Sequence, residues 1–244
     1  MSDVASRFPT GGWQFDKAVV DEFDHHVRDN VPHYEIFQET VAHLSDWLAP
    51  HGANVVDLGA ATGETIKAIG VRHPDRAYHF TAYDIEQEML NAAQAKHREG
   101  RWWHDHRFTY VALDLTRGPL IHENADLTLA LFTLQFLAPH QRAGVLRTAL
   151  QLARPGGALI VAEKVNQPSA FWQEIANEAT WDYKREQGVS ADAIRDKARA
   201  LRGVLIPLDA CDVERTITDA GWCDPVCIWR WHQWGLWAAT APRA

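Results

Sequence analysis

The sequence lacks the features that mark secreted, metal-binding or membrane proteins. It has only three cysteines in 244 residues, an odd number, and no close cysteine or histidine pair completes a zinc set. No segment approaches the ~18 apolar residues of a membrane-spanning helix, and the N-terminus has no apolar signal-peptide core. We therefore expect reduced thiols, no metal site, no membrane attachment and a cytoplasmic location.

An excess of positive charge is also missing. The chain has 24 Lys and Arg against 32 Asp and Glu, a formal net charge of -8. This charge opposes binding to a nucleic acid unless a local basic patch exists, so a small-molecule substrate is the simpler expectation. The hydrophobic content of 46% is enough for a full core, and the length fits one large α/β domain.

The segment ANVVDLGAATG carries the main motif. Its apolar run at residues 54–58 predicts a buried parallel strand that includes Asp57, and residues 64–71 follow with a helical pattern. Between them, Gly59 and Gly63 let the backbone approach a ligand beside the start of the helix. A strand, a glycine turn and a helix in this order are typical of nucleotide-binding α/β proteins.

Two further predicted strands also end in an acid. Residues 78–83 are followed by Asp84, and residues 108–113 are followed by Asp114. Asp84 is placed to accept from the ribose hydroxyls of an adenosine ligand, and Asp114 from an adenine amino group. One such aspartate could be a turn former or helix cap, but three acids after three strands, counting Asp57, favour a binding site.

The chemistry of the turn favours a cationic ligand. There is no GxGxxG motif, and no basic residue in the turn would balance a pyrophosphate. S-adenosylmethionine carries a sulfonium and an ammonium group, so acidic walls would stabilise it. We predict S-adenosylmethionine as the cofactor.

The remaining patterns predict a mostly parallel seven-stranded sheet with a terminal antiparallel hairpin and a helical lid. We expect residues 1–12 to be mobile and residues 13–244 to form one domain. Helices at 16–49 would form an N-terminal cap, and a helical insertion at 168–203 would cover the substrate cavity. The other predicted helices are 85–97, 142–153 and 209–220, and the other predicted strands are 125–132, 158–162, 225–231 and 235–240.

The motifs DLGAATG, YDIEQEM, LDL, FTLQFL and LARPGGALIVAEK, in this order, resemble those of class I S-adenosylmethionine-dependent methyltransferases. Together with VPHY and WDYKREQG, they resemble more narrowly the carboxy-S-adenosylmethionine synthase family, over residues 15–239. The resemblance implies a Rossmann-like fold. It also implies cofactor contacts at Tyr34, Gly59, Ala60, Ala61, Asp84, Ile85, Asp114 and Leu115, to which we add Asp57, Gly63 and Leu131.

The chain departs from that family at two positions. The family has an asparagine directly before FTLQFL and an arginine in the late helix, which bind the extra carboxylate of its carboxylated cofactor. This chain has Leu131 and Ala198 there. A carboxylate without these partners would be unpaired in an apolar pocket, which weakens the carboxylation hypothesis unless Arg195 or Arg199 substitutes.

The first functional hypothesis is methyl transfer from S-adenosylmethionine to a small molecule. We predict Tyr183, Trp172 and Leu131 as catalytic residues. They belong to a cavity wall whose aromatic faces would stabilise the sulfonium by cation–π attraction. If the acceptor needs a base, Tyr183, His26 or Glu163 could serve, and the sequence does not choose among them.

The alternatives keep the same cofactor. In one, the amine of S-adenosylmethionine attacks its own chain to give azetidine-2-carboxylate and methylthioadenosine, without an acceptor. Another is carboxy-S-adenosylmethionine synthesis. A third is a non-catalytic binding protein with an interaction surface formed by Trp229, Trp231, Trp234 and Trp237, a surface that would also allow a homodimer.

Overall fold

The computed structural model describes residues 17–99, 102–121 and 124–243, so the prediction for residues 1–12 lies outside the described residues. The helices are α1 (Lys17–Asn30), α2 (Tyr34–Leu48), α3 (Glu64–Arg72), α4 (Gln87–His97), α5 (Pro139–Gln151), α6 (Ala170–Glu186), α7 (Ala191–Ala200) and α8 (Ala210–Asp219). The strands are β1 (Asn54–Leu58), β2 (His79–Asp84), β3 (Arg107–Ala112), β4 (Ala125–Leu131), β5 (Ala153–Asn166), β6 (Leu208–Asp209), β7 (Cys223–Trp231) and β8 (Trp234–Thr240).

The strands form a sheet in the order β3-β2-β1-β4-β5-β8-β7. Strands β1 to β5 pair in parallel, whereas β8 is antiparallel to both β5 and β7. This confirms the predicted Rossmann-like class I methyltransferase architecture with a terminal hairpin. The two-residue β6, which pairs with the end of β5, is an addition that the hydrophobic pattern did not predict.

The sheet is covered on both faces, because alternate residues of a strand point to opposite sides. Val55 packs on one face with Phe37 from α2 and Ile66 from α3. Its neighbour Val56 packs on the other face with Leu146 from α5 and with residues of α8. A parallel strand buried on both faces reads as a continuous apolar run, which is the pattern of β1 and β4.

Two predicted boundaries are wrong. β5 covers Ala153–Asn166 rather than residues 158–162, since the chain also pairs with β4 at Ala153, across a register shift between Ala153 and Ala158. Helix α5 begins at Pro139 rather than at residue 142, because proline without an N–H is well suited to the first turn of a helix. The first change places Glu163 and Lys164 inside β5 rather than after it, whereas β1 ends at Leu58 as predicted.

Candidate functional site

The turn after β1 depends on residues with positive φ. Gly59 has a φ of 82°, and a side-chain carbon there would overlap the side chain of Thr133. Gly63 has a φ of 74° at the start of α3, and Ala61 between them has a φ of 46°. The Gly59 N–H donates to the Tyr83 carbonyl at 2.8 Å. The turn follows β1 and packs against Thr133 after β4, and the strand order reverses between these two strands, where open α/β folds bind ligands.

Two of the predicted acids share a buried environment. Asp57 is 2% exposed, and burial together with the charge of Asp84 raises the pKa of its carboxyl to about 7. Asp84 accepts hydrogen bonds from the N–H groups of Ala61 at 2.8 Å and Glu86 at 3.0 Å, so it also fastens the turn. Burial raises the pKa of Asp84 as well, against the effect of these donors. A cation beside this pair would stabilise both carboxylates.

The third predicted acid, Asp114, follows β3 at the same edge but is differently bonded. It accepts from Thr116 through the backbone N–H at 2.9 Å and the hydroxyl at 2.6 Å, and it pairs with Arg117 at 3.3 Å. These partners lower the pKa of Asp114. Ile85 is exposed and Leu115 is half-buried. A turn-forming role accounts for the bonds of Asp114, and its contact with an adenine stays a prediction.

Helix α1 is fastened across the turn by charged groups. Asp24 accepts from the hydroxyl of Thr62 in the turn and pairs with Lys96 on α4. Lys96 also pairs with Glu64 at 2.7 Å, and Arg28 of α1 pairs with the same carboxylate at 2.5 Å. These bonds hold α1 against the turn and against α3, as a cap over the strand ends requires.

An aromatic cluster adjoins the turn at the end of β4. Phe132 has a φ of 57°, and its ring lies 6.5 Å from Tyr34, 5.0 Å from Phe37 and 5.8 Å from Trp234 between centroids. Burial raises the pKa of Tyr34, so its hydroxyl stays protonated. The predicted catalytic residue Leu131, directly before Phe132, is buried in the core. Aromatic faces attract cations, so the cluster suits a sulfonium at this edge.

The other two predicted catalytic residues differ in their surroundings. Tyr183 contacts the rings of His33 at 5.5 Å and Trp231 at 6.4 Å, near the junction of α1 and α2. Trp172 is 54% exposed and packs against Phe171 on the surface of α6. Within the described part of the chain, Trp172 has no ring contact with the aromatic cluster, so its catalytic role lacks support.

The remaining candidates for a base have structural partners. Glu163 accepts from the Gln135 N–H at 3.2 Å and lies 3.6 Å from Arg142. Burial raises the pKa of Glu163 to about 8, an effect larger than the opposing effect of Arg142. His26 contacts the Nζ of Lys197 at 2.6 Å, and burial with this charge lowers the pKa of His26 to about 3. The identity of a base stays a prediction.

The predicted tryptophan surface on the hairpin is wrong. Trp234 and Trp237 are buried, and the indole N–H of Trp237 donates to Glu214 at 3.1 Å. Trp229 and Trp231 are half-buried and pack against the core. Strand β8 is paired along both edges, with β5 and β7, and most of its residues on both faces are buried.

Three lysines, Lys164 of β5, Lys184 of α6 and Lys197 of α7, line a cavity beside Ala198. The sequence does not predict that they meet, because they come from one strand and two different helices. The two arginines expected to compensate for Ala198 point elsewhere. Arg195 pairs with Asp192 at 2.8 Å and Arg199 with Asp196 at 3.7 Å, on the exposed side of α7.

The strand-end residues fit S-adenosylmethionine. Asp57 is buried and the neighbouring Asp84 is half-buried, and the turn from Gly59 to Gly63 has no lysine or arginine that would suit a phosphate. A ligand with a positive charge and an adenosine group matches this set of donors and acceptors.

Comparison with known proteins decides the family. A family model described as a methyltransferase domain matches residues 55–157. The chain is 32% identical over 197 residues to the carboxy-S-adenosyl-L-methionine synthase of Shewanella amazonensis, across 81% of this chain and 79% of that protein. The corresponding protein of Chromohalobacter salexigens is 32% identical over 223 residues, with coverage of 86% and 80%. This chain belongs to the carboxy-S-adenosylmethionine synthase family.

Solved structures show the same fold at low identity. The S-adenosylmethionine-dependent methyltransferase SibL matches with a TM-score of 0.64 and 16% identity, across 98% of this chain and 65% of the longer SibL chain. The [4+2]-cyclase SpnF matches with a TM-score of 0.59 and 16% identity, across 89% and 85%. Together with the family, these findings make the protein an S-adenosylmethionine-dependent, methyltransferase-like enzyme. Among the described helices, none has the length and hydropathy needed to cross a membrane.

Proposed function

We propose that the protein transfers the methyl group of S-adenosylmethionine to a small molecule. The observation that carries this proposal is the coupled pair Asp57 and Asp84 at the ends of β1 and β2, with the aromatic ring of Phe132 following the neighbouring strand β4. Helix α1 is bonded to the turn after β1 through Asp24 and Thr62. The acids suit the adenosine and the positive charge, and the ring suits the sulfonium. The cap would exclude water from the reacting groups.

When bound, S-adenosylmethionine supplies an electrophilic methyl carbon, whose bond to sulfur breaks as the acceptor attacks and S-adenosylhomocysteine leaves. The residues of this chain then have to align the acceptor behind that bond, because alignment can supply much of the rate. In this proposal Tyr34 and Phe132, whose rings are 6.5 Å apart, would contact the cofactor. Tyr183, close to the junction of α1 and α2, would contact the acceptor.

A second candidate is cyclisation of the cofactor without an acceptor. Leu131 and Phe132 make the end of β4 apolar where the family has an asparagine, and apolar surroundings lower the pKa of an amine. A neutral amine could attack the γ-carbon of its own chain. The bond from that carbon to sulfur would break, methylthioadenosine would leave and the amine would lose a proton to solvent, giving azetidine-2-carboxylate.

The names of the relatives suggest a third candidate, carboxy-S-adenosylmethionine synthesis. Leu131 and Ala198 argue against it, because the family's amide and guanidinium partners for the extra carboxylate are missing at these positions. The lysines beside Ala198 argue in its favour, since they bring positive charge to the same region. A cytoplasmic location and a homodimer stay predictions under each of the three candidates.

One set of incubations separates the candidates. Purified protein is incubated with S-adenosylmethionine alone and with a panel of small acceptors that includes prephenate, and the products are identified by mass spectrometry. Methyl transfer predicts S-adenosylhomocysteine only when an acceptor is present. Methylthioadenosine without any acceptor would replace the proposal by cyclisation, and a carboxylated cofactor with prephenate would replace it by the third candidate.

A matched pair of variants tests whether the cofactor binds at the strand ends. Asp84→Asn should weaken S-adenosylmethionine binding about tenfold or more, because a charged hydrogen bond is lost. Asp105→Asn, at an exposed acid away from the strand ends, should bind like the wild type. Equal affinities in the two variants, measured by calorimetry, would contradict the proposed cofactor site.

A further inference from the structure

His97, the last residue of α4, is a buried histidine that contacts the turn from Gly59 to Gly63, here called the cofactor turn. Its side chain is 1% exposed. The imidazole stacks on the rings of Phe108 at 5.1 Å and Tyr110 at 5.9 Å between centroids, and it meets Trp102 edge-on at 5.5 Å. These aromatic neighbours fix the plane of the imidazole.

The two ring nitrogens of His97 have different partners. Nε2 lies 3.0 Å from the carbonyl oxygen of Gly63, and Nδ1 lies 2.8 Å from the hydroxyl of Tyr110. A carbonyl oxygen can only accept, so Nε2 carries the proton and donates to Gly63. Nδ1 of the neutral ring is then an acceptor, and the Tyr110 hydroxyl donates to it. Tyr110 therefore fixes the tautomer in which His97 donates to the cofactor turn.

The imidazole of His97 is neutral at physiological pH. Burial lowers the pKa of His97 to about 4, against the effect of its hydrogen bond to Gly63, and the charge of Lys96 lowers the pKa further while that of Glu64 raises it. Burial also raises the pKa of Tyr110 to about 12, so its hydroxyl keeps its proton. A neutral ring suits this place, because an imidazolium beside the N-terminus of α3 would oppose the helix dipole.

The same ring fills the space beside Gly63. This glycine has a φ of 74°, and a side-chain carbon there would overlap Nε2 and Cε1 of His97. The Gly63 carbonyl also accepts the helical hydrogen bond of the Lys67 N–H at 3.0 Å. It therefore has one donor from α3, which it begins, and one from α4. The bond from His97 joins the end of the cofactor turn to a different helix.

The beginning and the middle of the cofactor turn are held from β2. The Gly59 N–H donates to the carbonyl of Tyr83 at 2.8 Å, and the Ala61 N–H donates to the carboxylate of Asp84 at 2.8 Å. The bond from His97 acts at the last residue of the turn. Bonds from both sides thus fix the backbone of the turn along its length.

We propose that His97 is a positioning residue of the cofactor site, which keeps the cofactor turn in its binding conformation by donating to the Gly63 carbonyl and packing against that glycine. The inference rests on the proposed location of the cofactor site at the strand ends. His97 acts through the turn and not on a reacting atom. A turn that also populates other conformations binds more weakly, in proportion to the fraction that is competent.

A double variant separates positioning from folding. His97→Leu with Tyr110→Phe removes both polar partners at little change in volume, so the protein should melt within about 4 °C of wild type. Its affinity for S-adenosylmethionine and for S-adenosylhomocysteine, measured by calorimetry, should fall about fivefold. His97→Gln, whose amide nitrogen can replace Nε2, should restore binding to within about twofold of wild type. His140→Leu, at an exposed histidine of α5, should do the same.

Nitrogen NMR of the unsubstituted protein checks the tautomer without any risk to folding. The spectrum should show His97 protonated at Nε2 and not at Nδ1, with its signals assigned by their loss in His97→Gln. A proton at Nδ1, unchanged affinity in the double variant, or His97→Gln binding as weakly as the double variant would each overturn the proposal. Wild-type affinity in Asp84→Asn would instead contradict the location of the cofactor site, whatever the His97 variants show.

Discussion

The strand-end site and the cavity lined by Lys164, Lys184 and Lys197, here called the lysine cavity, carry groups of opposite charge. In both, burial disfavours the charged form of these groups. At the strand ends, Asp57 is buried and Asp84 half-buried, desolvation raises the pKa of both carboxyls, and the charge of Asp84 raises that of Asp57 further. In the cavity, Lys184 and Lys197 lie close together, and burial lowers the pKa of both amines. In each region, like charges destabilise the charged form of their neighbours.

The regions differ in how the fold holds these groups. Asp84 accepts two backbone hydrogen bonds and Asp57 lies within a central strand, so the acids keep their positions without a ligand. The lysines are long side chains from separate elements, whose head groups are less constrained by backbone bonds. The acidic site is therefore preformed, and the basic cavity is more adaptable.

The largest expected effect concerns the residue that joins the two regions. Arg142 donates to the carbonyls of Leu137 at 3.0 Å and Ile206 at 2.5 Å and faces Glu163, so it links the segment after β4 to the chain that follows α7. Arg142→Met should lower the free energy of unfolding by about 3–5 kcal/mol, measured with urea, because buried acceptors lose their donor. Arg147→Met, exposed on the same helix, should cost under about 1 kcal/mol.

A double variant sharpens this prediction. Arg142→Met combined with Glu163→Leu should recover part of the loss, since a buried ion pair replaced by apolar groups is often neutral. An Arg142→Met protein as stable as Arg147→Met would show that the two regions do not depend on this link.

Substitution of two glycines with similar backbone angles tests how tightly each of the two regions is packed. Gly59 in the cofactor turn has a φ of 82°, and Gly188 after α6 has a φ of 88°, but only Gly59 lacks space for a side chain. Gly188→Ala should cost about 1 kcal/mol from backbone strain alone. Gly59→Ala should cost about 3 kcal/mol, because overlap with Thr133 adds to the same strain. Equal losses in urea unfolding would contradict the tight packing of the turn.

The smallest expected effect is a pH dependence at the acidic site. Because the pKa of Asp57 is about 7 without ligand and a cation lowers it, S-adenosylmethionine should bind about tenfold more tightly at pH 7.5 than at pH 5.5. Asp57→Asn should bind more weakly and lose this dependence, whereas Asp105→Asn should keep it. A flat profile in the wild type, measured by calorimetry, would mean that Asp57 does not face the cation.

The stability of the ligand-free protein should change with pH in the opposite sense. The pKa of Asp57 rises on folding from its ordinary value of 3.8 to about 7, so the folded protein holds this proton more tightly than the unfolded chain. Its contribution to stability is therefore present at low pH and is lost as the pH rises from about 4 to 7. Thermal unfolding of Asp57→Asn beside wild type checks the sign.

The sequence alone was sufficient for the cofactor turn and for the sheet. Asp57, Gly59 and Gly63 lie within seven residues of one strand and one turn, so local spacing decides how they sit together. The sequence also assigns Asp84 to this site, because parallel strands bring their carboxyl ends to one edge of the sheet. This reasoning applies wherever the apolar pattern identifies the strands.

Only the tertiary structure decided the lysine cavity and the true surroundings of the aromatic residues. Lys164, Lys184 and Lys197 meet because α6 and α7 fold back over the end of β5, and no spacing along the chain encodes that packing. The same packing leaves Trp172 on the surface and buries Trp234 beside Phe132. Local motifs depend on backbone geometry over a few residues, whereas the charge of a cavity depends on which distant helices share it.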